Sequence, residues 1–254
     1  MKYSMYVLIM LVFLSVCQQV SAQSRRPTVV IVQGAFGGSW GYRKVDSLLT
    51  AKGCNVYRPS LTGLGERVHL SSPGIGLHTH ILDVVNTILY EDLHDVVLVG
   101  HSYGGMVITG VADSIPERIQ KLIYVDAAIP ENGESIAMIW GKTDKEMEKS
   151  TTNGYQLATW VPAGKLPPKD VPQPIKTFTD TLVLKNRRAQ TLPGYFISCG
   201  WKEMAGRAAN KGWPVFSLGT DHNVQWSDPM SLSQLIFQLA TNSQDGSSKP
   251  SREK

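Results

Sequence analysis

Three residue types capable of acyl-transfer chemistry lie far apart in this 254-residue chain. Ser102 stands in Gly100-His101-Ser102-Tyr103-Gly104, after the run Val96-Val97-Leu98-Val99 and before the apolar stretch Met106 to Ala112. That order predicts a buried strand, a sharp turn and a helix. Such a turn holds the serine backbone under strain, with Gly100 and Gly104 needed because they lack a Cβ. Ser102 is then presented at the tip of a strand and the N-terminus of a helix, whose dipole favours a nearby anion. The bare Gly-x-Ser-x-Gly pattern arises by chance; its strand and helix flanks make Ser102 a candidate nucleophile. His222, in Gly219-Thr220-Asp221-His222 after the last apolar run, lies where a general base belongs in the chain order serine, acid, histidine.

The acid is less clearly marked. Asp126 ends the predicted strand Lys121-Leu122-Ile123-Tyr124-Val125, at the sheet edge that also presents Ser102. After the strand predicted from Gly194 to Cys199 comes Gly200-Trp201-Lys202-Glu203, with no Asp and with Glu203 the only carboxylate near. Glu203 falls where a helix has begun, and Asp221 is too close to His222 to fold back onto its ring. Asp126 therefore ranks ahead of Glu203, with capping of the turn into Ala127-Ala128 as its alternative role. Oxyanion donors are expected from backbone N–H groups: that of Tyr103, after the serine, and that of Ala35 in the Gly-rich loop Gln33 to Trp40. The loop has neither Gly-x-Gly-x-x-Gly nor a Lys-Ser/Thr ending, which argues against a nucleotide site.

The elements that must position these groups alternate. Strands are predicted at Thr28 to Val32, Asn55 to Pro59, Val96 to Val99, Lys121 to Val125, Gly194 to Cys199 and Trp213 to Leu218. Helices run from the Gly-rich loop to about Lys52, over Thr79 to Tyr90, from Met106, over Trp201 to Asn210 and over Met230 to Ala240. This is an α/β fold, a mostly parallel central sheet flanked by helices, occupying residues 23–241. Between about 130 and 193 the alternation stops. Ile136 to Trp140 reads as an amphipathic helix, after which Pro162, Pro167, Pro168, Pro172 and Pro174 predict irregular chain. An insertion of this length reads as a lid over a site. Its Trp140, Tyr155, Trp160 and Phe178 either line an apolar pocket or form the insertion's own small core.

Lys2, the apolar run Tyr6 to Leu14 and the small residues Ser21-Ala22 mark residues 1–22 as an export signal, giving a periplasmic or extracellular protein. Val16 argues against lipidation of Cys17, and removal of the leader leaves no segment for stable membrane insertion. The formal charge of +4, without basic clusters among aromatics, does not call for nucleic acid. Cys54 and Cys199 permit one disulfide, yet each adjoins a buried strand, where free packing cysteines are common. His69, His78 and His80 lack zinc-like spacing, so no metal is expected. Glu66 and Arg67 read as solvated or capping side chains. Residues 242–254, rich in Ser, Lys and Gly, are expected to be disordered.

Taken together, Gln33-Gly-Ala-Phe-Gly-Gly-Ser-Trp40, Leu61-Thr-Gly-Leu-Gly-Glu-Arg67, Val97 to Val107 and Tyr124-Val-Asp-Ala127 resemble the α/β-hydrolase superfamily. More narrowly, they are similar to bacterial esterases related to plant methyl-ester esterases and hydroxynitrile lyases, with Gln33 where the family commonly has His. The resemblance implies a cofactor-free serine esterase acting on a small-molecule ester, with Ser102, His222 and Asp126 as catalytic residues, Ala35 and Tyr103 as the oxyanion hole and Phe36, Trp140 and Trp160 against the substrate. A lyase, a cofactor-free haloperoxidase-like activity and a non-enzymatic binding protein are the alternatives on this fold. The plant lyases carry a Thr and a Lys where this chain has Gly34 and Asn223, which favours hydrolysis over cyanide release.

Overall fold

The strand sequences decide how the helices are distributed. The computed structural model of the protein describes residues 26–242; the leader and the tail beyond 242 lie outside the described residues. In the first half, β1 (Thr28–Val32) leads through a 3₁₀ turn to α1 (Arg43–Ala51), then β2 (Asn55–Tyr57), α2 (Leu77–Tyr90), β3 (Val96–His101), α3 (Gly104–Ser114) and β4 (Ile119–Val125). Successive side chains of a strand point to opposite faces. Val30, Leu98, Leu122 and Phe196 accordingly face α2, α3 and the later helix that carries Met204. Val29, Val97, Ile123 and Ile197 face α1 and the C-terminal helix. β3 is buried along its whole length, which is why its sequence is a continuous apolar run.

An insertion then adds α4 (Ile136–Ile139), α5 (Asp144–Lys149), β5 (Thr151–Thr152), β6 (Tyr155–Gln156), β7 (Gln173–Pro174) and α6 (Lys176–Thr179). The main sheet resumes with β8 (Gly194–Ser198), followed by α7 (Lys202–Asn210), β9 (Val215–Ser217), α8 (Val224–Ser227) and α9 (Pro229–Thr241). All pairings in the order β2-β1-β3-β4-β8-β9 are parallel. The chain leaves β1 for β2 and returns to β3 on β1's other side, a topological switch that opens a crevice at the carboxyl ends of β1 and β3. Register aligns those ends: Val32 lies beside Gly100, Gly100 beside Tyr124, and Val125 beside Ile197.

The insertion corrects one expectation. Where irregular chain is predicted, β5, β6 and β7 form a three-stranded antiparallel sheet. Asn153 and Gly154, at φ 52° and 82°, make the tight turn between β5 and β6, as an Asn-Gly pair in a two-residue hairpin should. Pro174 is tolerated because β7 is an edge strand, where a missing N–H breaks no ladder. Phe178 is fully buried, whereas Trp140 and Trp160 are 39% and 58% exposed. Phe178 is thus core, Trp140 and Trp160 are surface, and Tyr155 is half-buried. Cys54 and Cys199 are both free and buried.

Candidate active site

Ser102 sits at φ 53°, a left-handed conformation for a residue with a side chain and one that costs about 1–3 kcal/mol. Close packing enforces the turn. A Cβ on Gly100 would lie 2.7 Å from the Gly104 carbonyl oxygen, and one on Gly104 would lie 2.6 Å from that of Gln33. Asp126, at φ 41°, is a second strained residue at the end of the neighbouring strand.

These turns bring three distant side chains into one hydrogen-bonded chain. Ser102 Oγ is 2.9 Å from His222 Nε2, and His222 Nδ1 is 2.7 Å from Asp126 Oδ2. Asp126 is 1% exposed, and its other oxygen accepts the N–H groups of Cys199 and Trp201, each at 2.9 Å. Burial alone would raise its pKa, but the His222 bond and the two backbone donors outweigh burial and hold it below the usual carboxylate range. Glu203 is instead exposed and 3.5 Å from Arg207 on its own helix. Asp221 accepts from the Asn223 N–H and the Ser227 hydroxyl, closing the turn after His222.

His101, inside the serine motif, supports the other side of His222. Its Nε2 donates to the His222 carbonyl at 2.8 Å, and the two rings lie 4.8 Å apart. Burial, reinforced by the proximity of His222, lowers its pKa to about 4. His101 therefore remains neutral beside the His222 ring at ordinary pH.

The N–H groups of Ala35 and Tyr103 have no protein acceptor among the described residues. The Phe36 N–H does: it donates to Gln173 Oε1 at 2.6 Å, and the Phe36 carbonyl accepts the Val171 N–H at 2.9 Å. The insertion thereby holds Phe36, at φ 64°, from both sides. Gln33 donates from Nε2 to the Gly37 carbonyl at 2.8 Å, bracing the loop from within. Beneath Tyr103, its hydroxyl donates to His80 Nδ1 at 2.9 Å while His80 Nε2–H donates to the Thr62 carbonyl at 3.0 Å. Both ring nitrogens of His80 are occupied, and burial lowers its pKa to about 4. His69 and His78 are not part of this arrangement. Arg67 ties its loop to α2 through Asp83 at 3.0 Å, leaving Glu66 in solvent.

Ser102 and His222 open into a cavity of about 480 Å³. Phe36, Trp140 and Trp160 line it, and Trp40, Trp226 and Asp170 line it too. The last three, like His101 and Gln173, escape the sequence reading. His101 lies within the motif and was within reach of it, but nothing in local sequence marks the others. A larger groove of about 850 Å³ between α1, β9 and α9 contains none of the triad residues.

The fold and site define an α/β hydrolase, and the profile of the alpha/beta hydrolase family matches residues 29–240. The chain belongs to this family, in its esterase branch, and is a carboxylesterase-type hydrolase. It is 34% identical over 237 residues to a carbendazim-hydrolysing esterase of Nocardioides sp., covering 83% of this chain and 98% of that one. Methylesterase 3 of Arabidopsis thaliana is 31% identical over 140 residues, about half of each protein (51% and 50%). An extracellular α/β-hydrolase from a Paenibacillus species shares the fold at a TM-score of 0.71 and 21% identity, covering 85% of this chain and 99% of its own.

Proposed function

We propose that the protein is an exported serine esterase that cleaves a small carboxylic ester through an acyl-enzyme on Ser102. The observation that carries this reading is the chain from Ser102 through His222 to Asp126, at 2.9 and 2.7 Å, beside two unoccupied backbone N–H groups. His222 Nε2 takes the Ser102 proton as Oγ attacks the ester carbonyl carbon. The Ala35 and Tyr103 N–H groups donate to the oxyanion, and Asp126 stabilises the imidazolium. On collapse, His222 gives that proton to the departing alkoxide, which leaves as an alcohol. Water then attacks the acyl carbon with His222 again as base, releasing the acid and restoring Ser102. No step requires a cofactor.

Similarity to the carbendazim-hydrolysing esterase and the plant methylesterases supports a small ester as substrate. Hydrolysis is favoured over cyanohydrin cleavage because no Lys or Arg lines the cavity to hold a cyanide anion. In addition, a Cβ at Gly34 would stand 3.0 Å from His101 Nδ1 and 3.1 Å from Ser102 Cβ, leaving little room there for a Thr. Export rests on the leader, with cleavage after Ala22. Intact mass of the secreted protein should correspond to a chain starting at Gln23, and a retained Met1 or an acylated Cys17 would refute cleavage after Ala22.

The decisive experiment combines a fluorophosphonate probe with p-nitrophenyl esters of graded acyl length. Wild type should be labelled and active, while Ser102→Ala should stay folded, escape labelling and lose roughly 10⁴- to 10⁶-fold in kcat. Activity in Ser102→Ala within tenfold of wild type would refute the mechanism.

A further inference from the structure

The chemistry of the cavity wall bears on which ester enters. Among its lining residues Asp170 is the only carboxylate, and none is Lys or Arg. Asp170 Oδ2 accepts from Trp160 Nε1 at 2.8 Å. Its Oδ1 lies over the floor, 3.6 Å from where a Cβ on Gly37 would be. Among the described residues Asp170 has no cationic partner. Gln33 and Gln225, only 3% and 5% exposed, also line the cavity, and their Oε1 atoms, buried behind its wall, have no hydrogen-bond partner.

Aromatic rings share the cavity wall with Asp170. Phe36 and Trp160 meet edge to face at 4.9 Å, and Trp40 stacks on Trp226 at 5.7 Å. Trp140, Trp160 and Trp226 remain 39%, 58% and 50% exposed, unusual for rings of this size unless they cover something. Aromatic faces attract organic cations, and an unpaired carboxylate among them adds a directed charge.

Building on the ester-hydrolase reading, we infer that this cavity selects esters carrying an organic ammonium group, with the cation held by Asp170 and the surrounding tryptophans while the ester carbonyl lies at Ser102. An anionic ester meets the Asp170 charge without compensation and is rejected.

The test uses two esters of the same shape, acetylcholine and 3,3-dimethylbutyl acetate, which differ in one charge. The ratio of their kcat/KM values, charged over neutral, is compared between wild type and Asp170→Asn, so that intrinsic ester reactivity cancels. Asn retains an acceptor for Trp160 Nε1. The ratio should fall about tenfold in Asp170→Asn and recover in Asp170→Glu. Separately, benzyltrimethylammonium should quench the tryptophan fluorescence of Ser102→Ala, with about tenfold weaker binding once Asp170→Asn is added. Hydrolysis of both esters with a ratio unmoved by Asp170→Asn overturns the inference and leaves the esterase intact. Binding of benzyltrimethylammonium without hydrolysis of any ester supports the cation site and refutes the esterase. Absence of cation binding in Ser102→Ala also overturns the inference.

Discussion

Replacing Asp126 by Asn removes a charge while leaving size and shape almost unchanged, so it probes the relay with little packing disturbance. Asp126 Oδ1 accepts two backbone N–H groups, from Cys199 and Trp201, at 2.9 Å each. Only an oxygen can do this, so the Asn carbonyl must take that place. The amide NH₂ then replaces the oxygen 2.7 Å from His222 Nδ1 and, being a donor, requires Nδ1 to accept. The proton moves to Nε2, where it faces Ser102 Oγ and prevents His222 from acting as base. Flipping the amide restores an acceptor for His222 but sets the NH₂ against two N–H groups, at about 1–3 kcal/mol for each donor left unsatisfied. Either arrangement should reduce kcat about 10³- to 10⁴-fold, or about 4–5.5 kcal/mol on the barrier. The assay is steady-state hydrolysis of p-nitrophenyl acetate at pH 8, with folding checked by near-UV circular dichroism. Glu203→Gln, which alters an exposed carboxylate paired with Arg207, should stay within about twofold. Asp126→Asn activity within tenfold of wild type, or a larger loss in Glu203→Gln, would refute the reasoning.

Two further outcomes follow from buried groups. His80 and His101 have native pKa values of about 4, below the value near 6.5 expected when unfolded, so the unfolded state binds more protons between those limits. Their stabilising contribution is therefore complete above about pH 6.5 and lost as pH falls toward 4, at roughly 1.4 kcal/mol per pH unit for each histidine. Urea unfolding at pH 7.5, 6.0 and 5.0 should show this decline, and equal stability across the series would contradict it. Gln173→Leu removes the acceptor of the Phe36 N–H and should cost about 1–3 kcal/mol of stability together with a kcat loss exceeding any change in KM. Unchanged urea midpoint and kcat would show that the contact matters neither to folding nor to the loop.

The inner strands β1, β3, β4 and β8 were legible because each is buried along nearly its whole length and leaves a continuous apolar run. The serine and histidine were legible for the same reason: strand ends position them. The shared sheet edge put Asp126 near Ser102, and the structure brings its carboxylate to His222, but the N–H groups of Cys199 and Trp201 that hold it come from the loop after β8, and no side-chain pattern announces them. In the insertion, counting prolines concealed a hairpin that Asn153-Gly154 already signalled. Asp170, Trp40 and Trp226 were invisible because they meet only after the insertion and the loop after β9 fold around the same cavity.

The two hydrogen bonds through which the Val171 N–H and the Gln173 side chain grip the Phe36 backbone bear on how this enzyme can be re-engineered. The segment above the cavity and the loop beneath it are coupled at Phe36, next to the proposed oxyanion donor Ala35. Grafting another insertion to change specificity would also cut the supports of the reaction centre, whereas single exchanges at Trp140, Trp160 or Asp170 leave them standing. Substrate range in this scaffold is therefore open to drift residue by residue, but resistant to exchange by modules.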